Sequence, residues 1–250
     1  MTFASLSCVV PDWPVSAKVT VMTTTRHGGV SEAPFDALNL GLHVGDKLDA
    51  VLENRRRLLQ SFSLPAEPIW LNQTHSTDIL DVVQSRCKNV DADGAFTRLS
   101  NTVLAVLTAD CLPIVMSDTA GAQLAVVHAG WRGLAGGIVS QAISRFDKGA
   151  EICAWLGPAI GPARFEVGDD VRDAFVQRLE INATHFKQAD KAGKYWADLY
   201  GLARTELTQA GCHSVGGEYC THSQSDMFHS HRRDGTASGR MATLAWISAD

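Results

Sequence analysis

The chain has 250 residues, of which 45% are hydrophobic, and this is enough apolar material to bury a full core. Its formal net charge of −5 argues against a nucleic-acid surface, because such binding depends largely on neutralising phosphates. The start lacks the basic and apolar regions of a signal peptide, and no run of about 18 apolar residues occurs. We therefore expect a soluble, cytoplasmic protein without nucleic-acid or membrane partners.

The cysteines are spread along the chain without Cys-X-X-Cys spacing. In a chain of this size, that distribution favours reduced thiols over a disulfide framework. No linker, low-complexity tract or internal repeat divides the sequence, so we expect a single domain over residues 1–250. The six positions are Cys8, Cys87, Cys111, Cys153, Cys212 and Cys220.

The first half of the chain combines short strands with one amphipathic helix. A loop at 39–46 contains two glycines, which suggests a backbone held close to another group, and Asp46 is the candidate N-cap of the helix that follows. The arginine run 55–57 splays around this helix, and we interpret it as a solvated face. The helix's apolar stripe comprises Leu48, Val51, Leu52, Leu58, Leu59 and Phe62. Strands are expected at 19–25, 69–74, 79–83 and 103–107.

A β-hairpin is predicted where two apolar segments flank the turn residues 118–121. If the turn is centred on Thr119 and Ala120, cross-strand partners have numbers that sum to 239. Cys111 then lies opposite His128, with Cβ atoms roughly 5 Å apart, a separation that suits a metal bridging sulfur and nitrogen. A slip of one residue would put the two side chains on opposite faces.

After the hairpin, a glycine-rich turn at 130–133 opens an amphipathic helix with the stripe Ile138, Ala142, Ile143 and Phe146. Free backbone N–H groups and Arg132 make this turn a possible anion site, although tight packing of strand on helix explains the glycines equally well. Strands and helices then mix without a strict β-α-β rhythm, which favours an α+β fold with a mixed sheet. The remaining elements are a strand at 152–156, helices at 169–179 and 198–209, and a strand at 241–247.

The C-terminal third carries a group of cysteines and histidines whose spacing matches no zinc-finger or zinc-knuckle pattern. We interpret this group as a polar loop with incidental histidines. Its members are Cys212, His213, Cys220, His222, His229 and His231.

The chain carries seven motifs in order: AsnLeuGlyLeuHisValGlyAsp (39–46), HisSer (75–76), AlaAspCysLeuPro (109–113), HisAlaGlyTrpArgGly (128–133), GlyProAlaIleGly (157–161), PheGluValGly (165–168) and ArgArgAspGlyThrAlaSerGlyArg (232–240). Taken together, these motifs resemble the YfiH-like family, whose members are also called laccase-domain or polyphenol-oxidase proteins. The resemblance covers nearly the whole chain. Histidines at 220–222 and 228–233 stand where members commonly show aromatic residues, which bears on substrate preference.

The resemblance implies an α+β fold of mixed β-sheets in layers flanked by helices. It also implies one zinc ion, with copper as the alternative, bound by His75, Cys111 and His128. Three protein ligands leave one position of a tetrahedral zinc open, which is typical of catalytic rather than structural sites.

The function implied by the resemblance is phosphorolysis of purine nucleosides such as adenosine, inosine and methylthioadenosine, with adenosine deamination as a side activity. Alternatives are copper laccase chemistry, hydrolytic editing of a peptidoglycan precursor, and a zinc-bearing scaffold. A four-copper oxidase needs many paired histidines, whereas this chain has only His229-Ser-His231. A cysteine hydrolase using Cys111 with His128 as base is a further alternative, provided that no metal holds both.

Candidate residues for the nucleoside and phosphate follow from this reaction, which needs an anion site beside a cationic sugar carbon. Arg132 and Arg240 are the phosphate candidates. Asp110, next to Cys111, is the nearest carboxylate for proton transfer. Asn39, His43 and Gln73 are candidates for binding ribose or base.

Overall fold

The structure, a computed structural model, describes residues 6–83 and 90–249. Two large β-sheets pack face to face, and helices cover both outer surfaces. Side-chain alternation explains these layers. In the strand Leu112–Asp118, Ile114 and Met116 pack among the helices, whereas Val115 between them packs against the opposite sheet. The α+β prediction of layered mixed sheets is therefore confirmed.

The five-stranded sheet has the order β1-β2-β14-β6-β3, with β3 parallel to β6 and the other neighbours antiparallel. One face contacts the second sheet, and the other is covered by helix α1 (Leu48–Ser61), whose Leu58 is fully buried. The strands are β1 (Cys8–Val9), β2 (Val19–Thr24), β3 (Ile69–Trp70), β6 (Leu104–Thr108) and β14 (Met241–Ile247).

The six-stranded sheet has the order β13-β9-β7-β8-β5-β4 and is also mixed, since β4 runs parallel to β5 and β13 parallel to β9. Its outer face packs against helices through Leu134, Ile138, Phe175 and Leu202. The strands are β4 (Ile79–Val82), β5 (Gly94–Thr97), β7 (Leu112–Asp118), β8 (Leu124–Ala129), β9 (Ile152–Leu156) and β13 (His213–Gly216).

A small three-stranded sheet and the remaining helices complete the described part of the chain. Asp198 caps the longest of these helices by accepting a hydrogen bond from the Gly201 N–H. The sheet contains β10 (Glu166–Gly168), β11 (Phe186–Gln188) and β12 (Lys194–Ala197). The helices are α2 (Trp131–Gly136), α3 (Ile138–Ile143), α4 (Asp169–Val176), α5 (Leu199–Gln209), α6 (His231–Asp234) and the 3-10 helix Glu180–His185.

The hairpin of β7 and β8 is present, but the predicted register is wrong by two residues. Pro113 lies opposite His128, so partner numbers sum to 241 instead of 239. The turn is longer than expected because the Asp118 carboxylate accepts hydrogen bonds from the backbone N–H groups of Ala122 and Gln123. A shift of two residues preserves the face, and Cys111 and His128 therefore remain on the same side of the sheet.

Helix α1 differs from its prediction in its cap and its stripe. Its N-cap is Lys47, because the Asp46 carboxylate instead accepts hydrogen bonds from Ser31 and Asn39 in neighbouring loops. Leu48 and Leu52 are exposed, at 60% and 50%. The apolar pattern therefore predicted the helix correctly but overestimated the width of its buried face.

The arginine run is not a solvated face. Arg55 stacks on the Trp70 ring at 4.0 Å and donates two hydrogen bonds to the Leu40 carbonyl. Arg57 donates to the Gly28 carbonyl, and only Arg56 is exposed. Two of the three arginines thus secure loops to the helix, through donors that a helical pattern alone does not reveal.

Two further elements are shorter than predicted. The helix after the glycine turn is split into α2 and α3 by Gly137, which has a left-handed φ of 96° and therefore ends α2. The strand predicted at 69–74 ends at Trp70 and continues only as an isolated bridge between Asn72 and Asp91.

Cysteines in the described residues are all free thiols, in agreement with the prediction, and Cys87 lies outside those residues. In the same part of the chain, no helix is long and apolar enough to cross a membrane.

Candidate metal centre and pocket

The candidate metal centre lies at one end of the apolar core between the two large sheets. Alternation along β8 places His128 on the same face as Val126, and alternation along β7 places Cys111 on the same face as Val115; both valines belong to the core between the sheets. His75 reaches the same place from the loop between β3 and β4. The three polar side chains therefore lie together at the open end of an otherwise apolar core.

His75, Cys111 and His128 form a compact donor cluster. One ligand atom from each lies within 4.8 Å of the others, and the two imidazole rings meet edge to face with centroids 4.8 Å apart. Gly130 closes the back of the cluster, since a Cβ atom there would lie 3.0 Å from the His75 ring and 3.1 Å from the Cys111 sulfur. The donor set of two imidazoles and one thiol is suited to zinc.

Asp93, a fully buried carboxylate that sequence reasoning missed, ties two of the donors together. One oxygen lies 2.8 Å from Nδ1 of His128 and accepts the His75 N–H at 3.0 Å. The other accepts the N–H groups of Thr74 and Ser76. The carboxylate holds His75 in a loop with φ 61° and leaves Nε2 of His128 directed toward Cys111.

Charge at the cluster favours a thiolate beside an imidazolium when no metal is bound. Burial by itself would raise the pKa of the Cys111 thiol, but the charges and hydrogen bonds of His128 and His75 outweigh it and lower that pKa. Burial likewise opposes the charged form of His128, yet Cys111 and Asp93 raise its pKa. A thiolate is the form of cysteine that binds metal, so the site is prepared for a cation.

A pocket of about 230 Å³ opens directly onto the three donors. Larger hollows exist, such as one of about 450 Å³ beside His185 and Trp196, but in the described residues only the smaller pocket contains a cluster able to hold a metal. Besides the donors and Leu107, its lining comprises His43, Gln73, Thr108, Ala109, His231 and Arg240.

Of the four predicted substrate-binding residues, His43, Gln73 and Arg240 line the pocket. Burial, together with the positive charges of Arg240 and Arg55, lowers the pKa of His43. Nη1 of Arg240 donates to the carbonyls of Ser238 and Gly239, while its Nε and Nη2 have no partner within the described chain. This edge of the pocket is therefore electropositive and retains unused donors.

The side chains of Gln73 and Asn39 form hydrogen bonds with backbone groups around the pocket. The Gln73 amide donates to the Leu107 carbonyl and accepts the Leu107 N–H, which joins the loop before His75 to β6. Asn39 is fully buried outside the pocket lining, and its Oδ1 accepts the backbone N–H groups of Gly41 and Arg240. Their roles in substrate binding stay predictions, and the contacts show that both residues position neighbours of the pocket.

Asp110 is buried and has a positive φ of 87°. Its carboxylate accepts hydrogen bonds from the hydroxyls of Thr221 and Ser230 and from the Arg232 N–H. It thereby holds the chain before α6 against the turn that carries Cys111. The sequence placed Asp110 next to Cys111 but did not reveal these partners.

Arg132 is exposed in the first turn of α2, and its guanidinium stacks on the neighbouring Trp131 ring at 4.3 Å. It is not among the residues that line the pocket. The structure therefore does not bring Arg132 together with the donor cluster, and its role as a phosphate clamp stays a prediction.

The C-terminal cysteine and histidine group forms no metal cluster within the residues that the structure describes. His231 nevertheless lines the pocket, from the first position of α6. Spacing along the chain could not show this, because Asp110 draws this segment to the site from more than a hundred residues away.

His229 is the second notable member of that group. Its side chain is fully buried, and neither ring nitrogen has a hydrogen-bond partner within the described chain. Burial, assisted by the charge of Arg26, lowers its pKa to about 3. The ring is therefore uncharged in the folded protein at neutral pH.

We expect His229 to make the fold sensitive to acid. The unfolded chain binds a proton at this residue below its ordinary pKa of about 6.5, whereas the folded chain resists protonation down to about pH 3, so stability falls as pH drops through that window. At pH 4.5 the loss attributable to His229 is about 2 to 3 kcal/mol. Urea unfolding of wild type and His229→Gln at pH 7 and pH 4.5 measures it, with exposed His213→Gln as the control. Equal losses in wild type and His229→Gln would contradict this origin.

A family model, curated relatives and solved structures all match nearly the whole chain. A family model described as multi-copper polyphenol oxidoreductase laccase matches residues 20–248. The purine nucleoside phosphorylase YfiH of Shigella flexneri is 45% identical over 242 residues, covering 96% of this chain and 98% of that protein. The Neisseria meningitidis protein NMB0706 superimposes with a TM-score of 0.90 at 43% identity, covering 97% and 99% of the chains. YlmD from Geobacillus stearothermophilus gives 0.85 at 33% identity, with 94% of each chain covered.

Proposed function

Because the chain belongs to the multi-copper polyphenol oxidoreductase laccase family, in which YfiH-named relatives are called purine nucleoside phosphorylases, we propose that it is a zinc-dependent purine nucleoside phosphorylase. Its proposed substrates are adenosine, inosine and methylthioadenosine, together with inorganic phosphate. The observation that carries the proposal is the compact His75, Cys111 and His128 cluster, which faces a pocket that Arg240 also lines.

The donor set fits a single zinc ion better than copper chemistry. Within the described residues, one cluster of three donors exists, whereas multicopper oxidation needs several such clusters. Bound zinc would supply a Lewis acid at the pocket floor. The family's name therefore describes a chemistry for which this chain offers few ligands.

In phosphorolysis, a phosphate oxygen attacks C1′ of the ribose while the bond to the base breaks, and the base leaves with the bonding electrons. The protein must therefore hold an anion close to a sugar carbon that becomes cationic. Arg240 is suited to hold the phosphate through its unused donors. His43 and His231 bring imidazoles to the same pocket, which suits hydrogen bonds with ribose hydroxyls or base nitrogens.

Adenosine deamination is proposed as a side activity of the same pocket. Asp110 is a poor proton carrier for it, since its oxygens already accept hydrogen bonds from Thr221, Ser230 and Arg232. We assign Asp110 to positioning the segment that brings His231 to the pocket.

A cysteine hydrolase is the second candidate, and one observation favours it. Cys111, His128 and Asp93 stand in the order of nucleophile, base and orienting carboxylate. Such a site would act in the metal-free protein and would suit the editing of a peptidoglycan precursor. A bound metal would occupy both Cys111 and His128 and prevent this chemistry.

We expect free base to appear from adenosine or inosine only when phosphate is supplied, because phosphate is the proposed nucleophile. Chromatography of the products, with and without phosphate, should show ribose 1-phosphate formed in step with the base. Each assay is run with metal-loaded and chelator-treated protein, which separates the two candidate functions. Equal base release in phosphate-free buffer would indicate a hydrolase and reject the phosphorylase.

A further inference from the structure

Thr108, the last residue of β6, carries a buried hydroxyl without a partner. The residue is 1% exposed, and its Oγ1 makes no hydrogen bond within the described chain. Leaving such a group unpaired destabilises the folded protein, because the hydroxyl loses its hydrogen bonds to water without gaining a partner. By contrast, two other buried threonines of this sheet are hydrogen-bonded to each other, since the hydroxyls of Thr23 and Thr243 lie 2.6 Å apart. The orphan hydroxyl is therefore an exception among the buried threonines of this sheet.

The position of Thr108 explains the exception. It continues the row of Val106 into the space between the sheets, at the end where the metal donors lie, and it lines the same pocket. Thr108 pairs with Met241, the first residue of β14, and Arg240 immediately precedes that strand. Thr108 at the end of β6 and Arg240 just before β14 thus line the same cavity, one with an unpaired hydroxyl and the other with unused guanidinium donors.

Arg240 is held firmly enough to act as one wall of a binding site. Its backbone N–H donates to Asn39, its stem packs against Gly41, and Nη1 is bonded to two carbonyls. The Nε and Nη2 donors remain, and the charge acts across the pocket edge on His43. The negative charges that act on Arg240 are those of Cys111 and Asp110, and the Asp110 oxygens accept hydrogen bonds elsewhere.

We propose that Thr108 and Arg240 together form the oxyanion subsite of this pocket, in which the Thr108 hydroxyl donates a hydrogen bond to the inorganic phosphate co-substrate. This inference rests on the proposed phosphorylase function for the identity of the anion. A tetrahedral oxyanion fits the donors, because the guanidinium binds two of its oxygens in a fork and the hydroxyl binds a further one. The unpaired hydroxyl is then satisfied only when phosphate is bound.

The isosteric change Thr108→Val tests this subsite without nucleoside. Titration calorimetry of metal-loaded protein with inorganic phosphate should show affinity weaker by roughly ten-fold or more, as expected for losing a hydrogen bond to a charged group. Thr108→Ser, which keeps the hydroxyl, should restore most of it. Unfolding by urea should show Thr108→Val to be as stable as wild type or more so, because the change removes an unsatisfied group.

Thr243→Val is the matched control, since it removes a buried hydroxyl two residues further along β14 from Met241. It should lose stability, because it leaves Thr23 unpaired, and it should keep wild-type phosphate affinity. Unchanged phosphate affinity in Thr108→Val would overturn the subsite, and so would a rise confined to the nucleoside KM. A phosphate effect in Thr108→Val without any phosphorolysis by wild type would leave the subsite standing and reject the proposed function alone.

Discussion

Purified protein is expected to hold about one zinc per chain, and Cys111→Ala is expected to lose most of it. The thiolate is the strongest zinc donor of the three, and its removal leaves only His75 and His128. Loss of affinity should exceed the roughly 10- to 100-fold that changes around a metal ligand usually cause. Elemental analysis after dialysis, and competition with a chelator, measure the effect.

The control for this experiment is Cys8→Ala, which removes a thiol on β1 outside the cluster and should keep its zinc. His128→Ala should resemble Cys111→Ala. Full zinc content in both Cys111→Ala and His128→Ala would reject the site. Zinc content preserved in Cys111→Ala alone would remove the thiol from the ligand set.

Replacement of Asp93 is expected to have the second-largest effect, although Asp93 need not touch the metal. Asp93→Asn puts an amide where two oxygens accept hydrogen bonds from His128 and from the backbone of Thr74, His75 and Ser76. One end of an amide donates instead of accepting, so some of these bonds are lost. Zinc affinity should fall about 10- to 100-fold, as measured by chelator competition.

Asp93→Ala should be more severe, because it removes the acceptor of the buried His128 ring, at about 1 to 3 kcal/mol, and also that of the Thr74, His75 and Ser76 N–H groups. Urea unfolding of the metal-free variant measures this cost apart from zinc binding. Asp91→Asn is the matched control, since Asp91 is exposed and its side chain accepts only from Asn72 among the described residues. Wild-type zinc affinity in Asp93→Asn would limit Asp93 to a role in folding.

Sequence patterns predicted the bounds of an element correctly where residues within that element determined those bounds. The strands Ile152–Leu156 and Met241–Ile247 have the predicted bounds, because their continuous apolar runs are buried on both faces. The helix beginning near Leu48 was also found, but its cap was misplaced. Asp46 has better partners in Ser31 and Asn39 than in the helix end, and those partners are distant in sequence.

The hairpin of β7 and β8 shows how much of the candidate metal centre could be predicted from the sequence. Residue order and polarity predicted that Cys111 and His128 share a face, and the structure agrees although the register is shifted by two. Side-chain direction repeats every two residues, so this error left the face intact. His75 was assigned only through family resemblance, because its loop position depends on Asp93 and not on any spacing.

The amino-acid sequence, read with the family resemblance of its motifs, was sufficient for the α+β class, the main strands and helices, the family and the three residues that form the candidate metal centre. These depend on apolar periodicity and on contiguous motifs, which are local properties of the chain. Only the tertiary structure revealed Asp93 behind His128, Thr108 beside Arg240, and the exposure of Arg132. Each of these depends on which strands become neighbours and in what register, and that pairing is decided by packing of the two sheets across many residues of intervening chain.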